Sequence, residues 1–373
     1  VKMNVSVDPK YFDYAASAPP WPEAVEAFSM VSKDFYANPS SIHLKGKKAK
    51  EMLLKLKKDF CDLLRFYDGR LLLCASGSEA GNTIIEGHLG RLPTGKILMA
   101  RDVHDCVWYS NKKYVNKVRV FPLESSGHYD PGKFAKALGE DISLVCINHV
   151  CNETGAIQPV EEIADICHRR KVKLMIDGVQ ALGHIPVNMN EIPCTYYTFS
   201  GHKFGSVRGV AGVLIRDDQF DPLIKGGKQE WELRAGTENV PGLSSMVEAL
   251  KRSNAIMEEE NGRLRKLKNR IVQKLKEVEG IKFNSVEPDL PGLLSVSLPG
   301  FSGKEIVGAL SVSDFAVSTG SACHSNQMEP SRVIRAMGRT TGEAVGSIRI
   351  SMGTGTTVEA VDALMEKLFD LIK

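Results

Sequence analysis

No apolar run in this chain of 373 residues approaches the ~18 residues of a membrane-spanning helix. Residues 1–14 also lack an apolar core, so no secretory leader is expected. Cysteine is scarce, with eight in the chain, far fewer than a disulfide scaffold needs. No two of them form a C-x-x-C pair and no Cys/His cluster has zinc spacing. A metal is therefore not expected, and a reduced, cytoplasmic compartment fits. A charge excess is missing too: 48 Lys and Arg stand against 45 Asp and Glu, a net charge of +3. That gives no positive argument for a nucleic-acid or membrane partner. Repeats, low-complexity tracts and long linkers are absent. With 43% hydrophobic and 25% charged residues, the chain is neither disordered nor collagen-like, and its length allows one or two domains.

What is present is a series of short apolar runs, at 71–74, 96–100, 118–123, 143–150, 173–177, 196–200 and 210–216. Continuous apolar runs suit strands covered on both faces. Helical patterns fall between most of them, as at 161–171, where Ile163, Ile166 and Cys167 share a face. This alternation predicts a mainly parallel, seven-stranded α/β sheet, with binding sites at the carboxyl ends of its strands. After about residue 240 the pattern becomes a long helix over 244–278, with Asn261-Gly262 a candidate kink. Strand-like runs at 293–298, 316–318 and 347–352 follow, then a last helix with Val361, Leu364, Met365 and Leu368 on one stripe. The expected division is a large domain over 14–256 and a smaller α+β domain from 1–13 and 257–373. Residues 45–60 hold seven lysines, yet Ala49, Met52, Leu53, Leu56 and Phe60 form a helical stripe. The expectation is a core-packed helix with a solvated lysine face.

Three strand ends carry candidate chemistry. In Leu73-Cys-Ala-Ser-Gly-Ser-Glu-Ala-Gly-Asn82 a strand meets small residues and a helix pattern that begins near Glu79. Free N–H groups at a helix start favour an anion, and Ser78 adds a hydroxyl. Taken alone, the segment also reads as a serine-capped helix. In Leu174-Met-Ile-Asp-Gly-Val-Gln-Ala-Leu-Gly183 the strand closes on Asp177. A carboxylate there needs a partner such as a cationic ring nitrogen, unless it simply caps a turn. In Tyr196-Tyr-Thr-Phe-Ser-Gly-His-Lys-Phe-Gly205 a strand runs into Ser200, His202 and Lys203. Such a lysine either forms a Schiff base or lies on the surface. Together the three segments supply what pyridoxal phosphate requires: phosphate donors, a carboxylate for the ring nitrogen and a Schiff-base lysine. Cys323 stands apart from the other cysteines because its loop, Ser318-Thr-Gly-Ser-Ala-Cys-His-Ser325, is small and polar. His43, His149 and His184 need no special role.

The chain resembles the cysteine desulfurases of the NifS/IscS group, within the class V aminotransferase-like, fold-type I pyridoxal-phosphate enzymes. Matching motifs run in order: Tyr11-Phe-Asp-Tyr-Ala-Ala16, Asn38-Pro-Ser-Ser-Ile-His43, Asn148-His-Val-Cys-Asn-Glu-Thr-Gly155, Ser200-Gly-His-Lys203, Arg234-Ala-Gly-Thr237, Gly320-Ser-Ala-Cys323 and Ser347-Ile-Arg-Ile-Ser351. The resemblance implies that Lys203 forms the Schiff base and moves protons at the substrate α-carbon. It gives Asp177 the pyridinium nitrogen, Gln180 the phenolic oxygen, and His104 a place against the cofactor ring with an acid/base role. Gly77, Ser78, Ser200 and His202 would hold the phosphate. Thr237 would reach the phosphate of the neighbouring subunit, which implies a homodimer. Asn152 and Arg349 would bind the substrate carboxylate, Arg349 by a bidentate pair. The Cys323 thiolate would attack the sulfur of L-cysteine, leaving alanine and a persulfide for a sulfur-acceptor protein, and the interval from Cys323 to Arg349 resembles the long-loop branch of the family. No direct nucleic-acid binding is expected.

There are departures. Gly77-Ser78-Glu79-Ala80-Gly81-Asn82 replaces a more usual small-Thr-Glu-Ser-x-Asn, Cys151 stands where Asn is frequent, and Ser351-Met-Gly-Thr-Gly-Thr-Thr357 lacks an arginine. The chain ends soon after its last predicted helix, whereas housekeeping members often carry a further tail that docks the iron–sulfur scaffold. That leaves the acceptor open. Two other readings also stand at this stage: a cysteine or selenocysteine lyase or aminotransferase on the same cofactor, and a non-catalytic homologue that only binds a partner.

Overall fold

The computed structural model describes residues 7–298, 300–320 and 330–372. Cys323 lies outside these residues. Among them the strands of a seven-stranded sheet are β1 (Arg70–Cys74), β2 (Lys96–Ala100), β3 (Val118–Phe121), β4 (Ile142–Asn148), β5 (Lys173–Asp177), β6 (Tyr196–Ser200) and β7 (Ala211–Ile215), in the order β1-β7-β6-β5-β4-β2-β3. A second, three-stranded sheet has the order β10-β9-β8, from β8 (Lys282–Phe283), β9 (Leu293–Ser297) and β10 (Ser347–Ser351). The helices are α1 (Pro22–Asp34), α2 (Leu44–Leu63), α3 (Gly77–Arg91), α4 (Asp105–Lys113), α5 (Pro131–Ala137), α6 (Val160–Arg169), α7 (Val240–Leu275), α8 (Gly303–Ser311), α9 (Arg332–Ala336), α10 (Thr341–Val345) and α11 (Val358–Ile372). No described helix is long and apolar enough to cross a membrane.

The apolar runs form the strands they predict because both faces of the large sheet are covered. Every residue of β6 and β7 is buried, and so is β4 from Leu144 onward. Among the described strands of this sheet β7 alone runs antiparallel to its neighbours, pairing with β1 and β6. Its amino end therefore lies beside the carboxyl ends of β1 and β6, with Ala211 opposite both Cys74 and Ser200.

Helix α2 buries Ala49, Leu53, Leu56 and Phe60, and Phe60 stacks on Phe199 of β6 at 4.8 Å. Burial of each large apolar side chain contributes about 1.5–3 kcal/mol. Its lysine face departs from expectation at one position. Lys57 is buried and ion-paired to Glu230 at 2.6 Å, because a charge inside the protein must be paired. The candidate kink at Asn261-Gly262 does not form, and α7 runs unbroken through it. Its first half, with Leu243, Met246, Val247 and Leu250, packs in the core of the large sheet. Its second half, with Leu264, Leu267, Ile271 and Leu275, packs around the small sheet with Phe12 and α11. Residues 316–318 are bridges rather than a strand: Ala316 pairs with Tyr11 and Ser318 with Arg349.

Candidate active site

The carboxyl ends of five parallel strands converge on one cavity of about 310 Å³. β1 leads to Gly77 and Ser78, β2 to His104, β4 to Asn148 and Asn152, β5 to Asp177 and Gln180, and β6 to Ser200, His202 and Lys203, all of which line it. Arg349, in the middle of β10, closes it from the small sheet.

Helix α3 starts two residues earlier than its pattern suggests. Ser76 is the cap, its hydroxyl accepting the Glu79 N–H at 3.1 Å. That leaves the Gly77 and Ser78 N–H groups at the first turn, which has no earlier carbonyl to bond them. A Cβ on Gly77 would stand 3.1 Å from Val179 Cγ2 and 3.6 Å from Ser200 Cβ. The bare glycine keeps that approach open.

Lys203 sits in a short helical turn after β6, and Nζ donates to the carbonyls of Ala15 at 2.7 Å and Ala16 at 2.9 Å. Its own carbonyl accepts from His184 Nε2 at 3.0 Å. Burial holds the His184 imidazole below its ordinary range, so the neutral ring is a donor. Gly205 completes this turn at φ +88°, where a Cβ would lie 2.4 Å from Trp21 Cδ1; only glycine fits. Gln180 donates to the Ala15 carbonyl at 2.8 Å.

Asp177 stands beside Asn148 on β4 and Thr198 on β6. Burial pushes its carboxyl up from the usual range, opposed by the Val179 N–H at 3.0 Å, the charges of His104 and Lys203, and Thr198. His104 caps α4: Nδ1 accepts the Cys106 N–H at 3.2 Å and lies 3.1 Å from the Cys106 thiol. With Nδ1 accepting that N–H, the ring nitrogen left to donate is Nε2. Burial pushes the Cys106 thiol up to about 12, so it remains an S–H. His202 is lowered to about 4, by burial first and then by the charges of Lys203 and Arg208, and its Nδ1 lies 3.2 Å from Ser17 Oγ.

Arg349 is buried. Nη1 donates to the Asn152 carbonyl and Nη2 to Asp13 Oδ1, both at 2.8 Å. Each terminal nitrogen keeps a second N–H, and Nε has no hydrogen-bond partner among the described residues.

Of the residues predicted for the site, Gly77, Ser78, His104, Asn152, Asp177, Gln180, Ser200, His202, Lys203 and Arg349 come together. Thr237 is exposed and does not line this chain's cavity. Cys323 lies outside the described residues, although Gly320, which precedes that segment, reaches the cavity wall. Sequence reasoning misses Cys106, Glu153 and Arg332, which also line it. Glu153 falls inside a quoted motif, but no pattern marks Arg332.

The pattern of the family described as "Aminotransferase class-V" matches residues 10–364. The chain belongs to the class-V aminotransferases. Within that family it is 31% identical over 381 residues to "Cysteine desulfurase IscS" of Methanosarcina thermophila, covering 99% of this chain and 94% of that protein. It is 32% identical to "Cysteine desulfurase IscS" of Dictyoglomus turgidum, covering 97% and 94%. A solved "NIFS-LIKE PROTEIN" superposes with a TM-score of 0.88 at 29% identity, covering 97% of this chain and 98% of that one. The chain is thus a class-V aminotransferase of the cysteine desulfurase group.

Class-V aminotransferases work with pyridoxal 5′-phosphate, and this cavity fits that group. The Asp177 carboxyl, raised by burial, calls for a cationic partner. The glycine-lined start of α3 and the neutral His202 supply N–H donors for a phosphate.

Proposed function

We propose that this chain is a pyridoxal-phosphate-dependent cysteine desulfurase that converts L-cysteine to L-alanine and leaves the sulfur as a persulfide on Cys323 for a sulfur-acceptor protein. The observation that carries this reading is the meeting of Lys203, Asp177 and Arg349 in one cavity of a chain related throughout its length to cysteine desulfurases.

When bound, pyridoxal phosphate supplies an electron sink for the carbon next to the substrate nitrogen. Gly77, Ser78, Ser200 and His202 would hold its phosphate, His202 through Nε2–H because Ser17 faces Nδ1. Thr237 of a second subunit would complete that anchor, which makes the working unit a homodimer. Asp177 would hold the proton of the ring nitrogen, Gln180 the phenolic oxygen, and His104 would flank the ring with its Nε2–H. Arg349 and Asn152 would bind the substrate carboxylate, Arg349 through the second N–H on each terminal nitrogen. Lys203 moves the proton at the substrate α-carbon and releases the Ala15 and Ala16 carbonyls to do so. In the sulfur step the C–S bond of cysteine breaks and an S–S bond to Cys323 forms. The sulfur is oxidised to the sulfane level, and the carbon it leaves is reduced: it keeps the electron pair of the C–S bond and gains a proton to become the methyl of alanine. Burial raises the thiols of Cys61, Cys74, Cys106, Cys146, Cys151, Cys167 and Cys194, so none of them is a ready thiolate at neutral pH. We also propose the domain boundary within α7, between the core of the large sheet and that of the small one.

The test is turnover of L-cysteine by the purified protein. Alanine is expected in equal amount to sulfide when a reductant is present, with the persulfide mapped to Cys323. Cys323→Ala is expected to abolish alanine formation, and Lys203→Ala the yellow absorbance of bound cofactor. Pyruvate and ammonia in place of alanine would overturn the reading.

A further inference from the structure

Arg332 follows Ser331 at the start of α9, on the far side of the Cys323 segment from Gly320. Its guanidinium reaches the other wall of the cavity. It donates to the Arg101 carbonyl through Nη1, and through Nη2 to the Val103 carbonyl at 2.7 Å and to Asp105 Oδ1 at 3.3 Å. Its central carbon lies 4.1 Å from the centre of the Trp108 ring in α4. Val103 and Asp105 are the residues immediately before and after His104, so these contacts bracket the histidine. The anchor on the other side is equally firm. The neighbouring Ser331 hydroxyl donates to the buried Glu153 at 2.5 Å and accepts the Ile334 N–H at 3.1 Å.

We propose that Arg332 is a positioning residue for His104: it ties the backbone on both sides of that histidine, and the first turn of α4, to the helix that follows the Cys323 segment. The donors explain why its role is positional rather than substrate binding. Three of its five N–H groups, both of those on Nη2 among them, are committed to the His104 segment, so the two terminal nitrogens cannot together face a carboxylate. Arg349, by contrast, keeps a second N–H on each terminal nitrogen. A lysine in place of Arg332 would keep the charge, but one ammonium cannot span two carbonyls and a carboxylate while also resting over the Trp108 ring. The proposal rests on the reading that His104 serves the reaction, and it adds a residue that places it.

The test uses Arg332→Ala, Arg332→Lys and, as a control on the same helix, Arg335→Ala, whose side chain among the described residues donates to the Arg339 carbonyl. Two readouts are taken. The first is hydrogen exchange of the amides of residues 104–108, with and without cofactor. The second is the split of kcat from KM for L-cysteine. Exchange at 104–108 is expected to quicken in both Arg332 variants and not in the control. The kcat is expected to fall about ten- to a hundredfold, as misplaced catalytic groups do, with KM within about twofold. Arg332→Lys covers the case in which Arg332→Ala folds poorly. Unchanged exchange at 104–108 would overturn the proposal, as would a KM raised tenfold with kcat kept, which would make Arg332 a substrate ligand. If the wild-type protein turns over no cysteine, the desulfurase reading fails while the exchange measurement still decides the clamp.

Discussion

Burial sets the protonation of the histidines behind the cavity. His149 directly follows β4, its N–H donating to the Asp177 carbonyl at 2.9 Å; it is 3% exposed, with its Nδ1 2.8 Å from the Tyr197 hydroxyl. Burial lowers it from 6.5 to about 4. Because the folded value is the lower one, the unfolded chain takes up the proton first as pH falls. The stabilisation is therefore complete above about pH 6.5 and is lost as pH drops toward 4. A shift of this size corresponds to roughly 3 kcal/mol, of which about 2 kcal/mol is gone by pH 5. Urea unfolding at pH 7 and pH 5 measures it. His149→Gln, which keeps a partner for Tyr197 and does not titrate, is expected to lose about 2 kcal/mol less than the wild type between these two values. An unchanged loss would show that His149 is not the titrating group. His202, also lowered to about 4, lines the cavity itself and is neutral at pH 7, which suits a donor whose other nitrogen faces Ser17.

At the scale of elements, α7 shows what periodicity does and does not reveal. Its apolar steps predict a long helix, and the helix forms, but Asn261-Gly262 reads as a break that tertiary packing overrides. Leu250 and Leu264 are held in different cores on either side of it, so continuity is set by burial on both sides. Gly262 is exposed, and a Cβ there would have no heavy atom within 4 Å. Gly262→Ala is therefore expected to stabilise the protein by about 0.5–1 kcal/mol, the difference in helix propensity, seen as a raised urea midpoint at unchanged slope. A lower midpoint would mean the glycine relieves strain in this helix. The strand ends were legible for a related reason: an apolar run that stops at Ser, Asp or Gly marks both a strand and its exposed end. Neighbour order was not. Nothing in Val210 to Arg216 distinguishes a strand that inserts antiparallel between β1 and β6 from one that extends the parallel series. Arg332 was illegible for the same reason, since its partners at 101–108 lie more than 200 residues away.

At the scale of the whole molecule, the cavity is assembled from distant parts. The segment holding Asp13, Ala15 and Ala16 is pinned to both sheets: Asp13 bridges to Ser351 and pairs with Arg349, while the Ala15 carbonyl takes Gln180 and Lys203. Thr237, in contrast, projects from the stretch before α7 and is exposed. Its proposed role requires a second copy, and that can be tested without a structure of the pair. Lys203→Ala removes the Schiff-base lysine from a chain's own cavity. Thr237→Asp places a negative charge against the phosphate in its partner's cavity, where a like charge opposes binding. Each homodimer should be nearly inactive. In a heterodimer of the two, isolated with a different tag on each chain, one cavity carries both faults and the other carries neither. Alanine formation is expected to return to about half of the wild-type rate per dimer, as two-fold symmetry with one intact site requires. A heterodimer no more active than its parents would place Thr237 in its own chain's chemistry, and a monomer on sizing would remove the shared site.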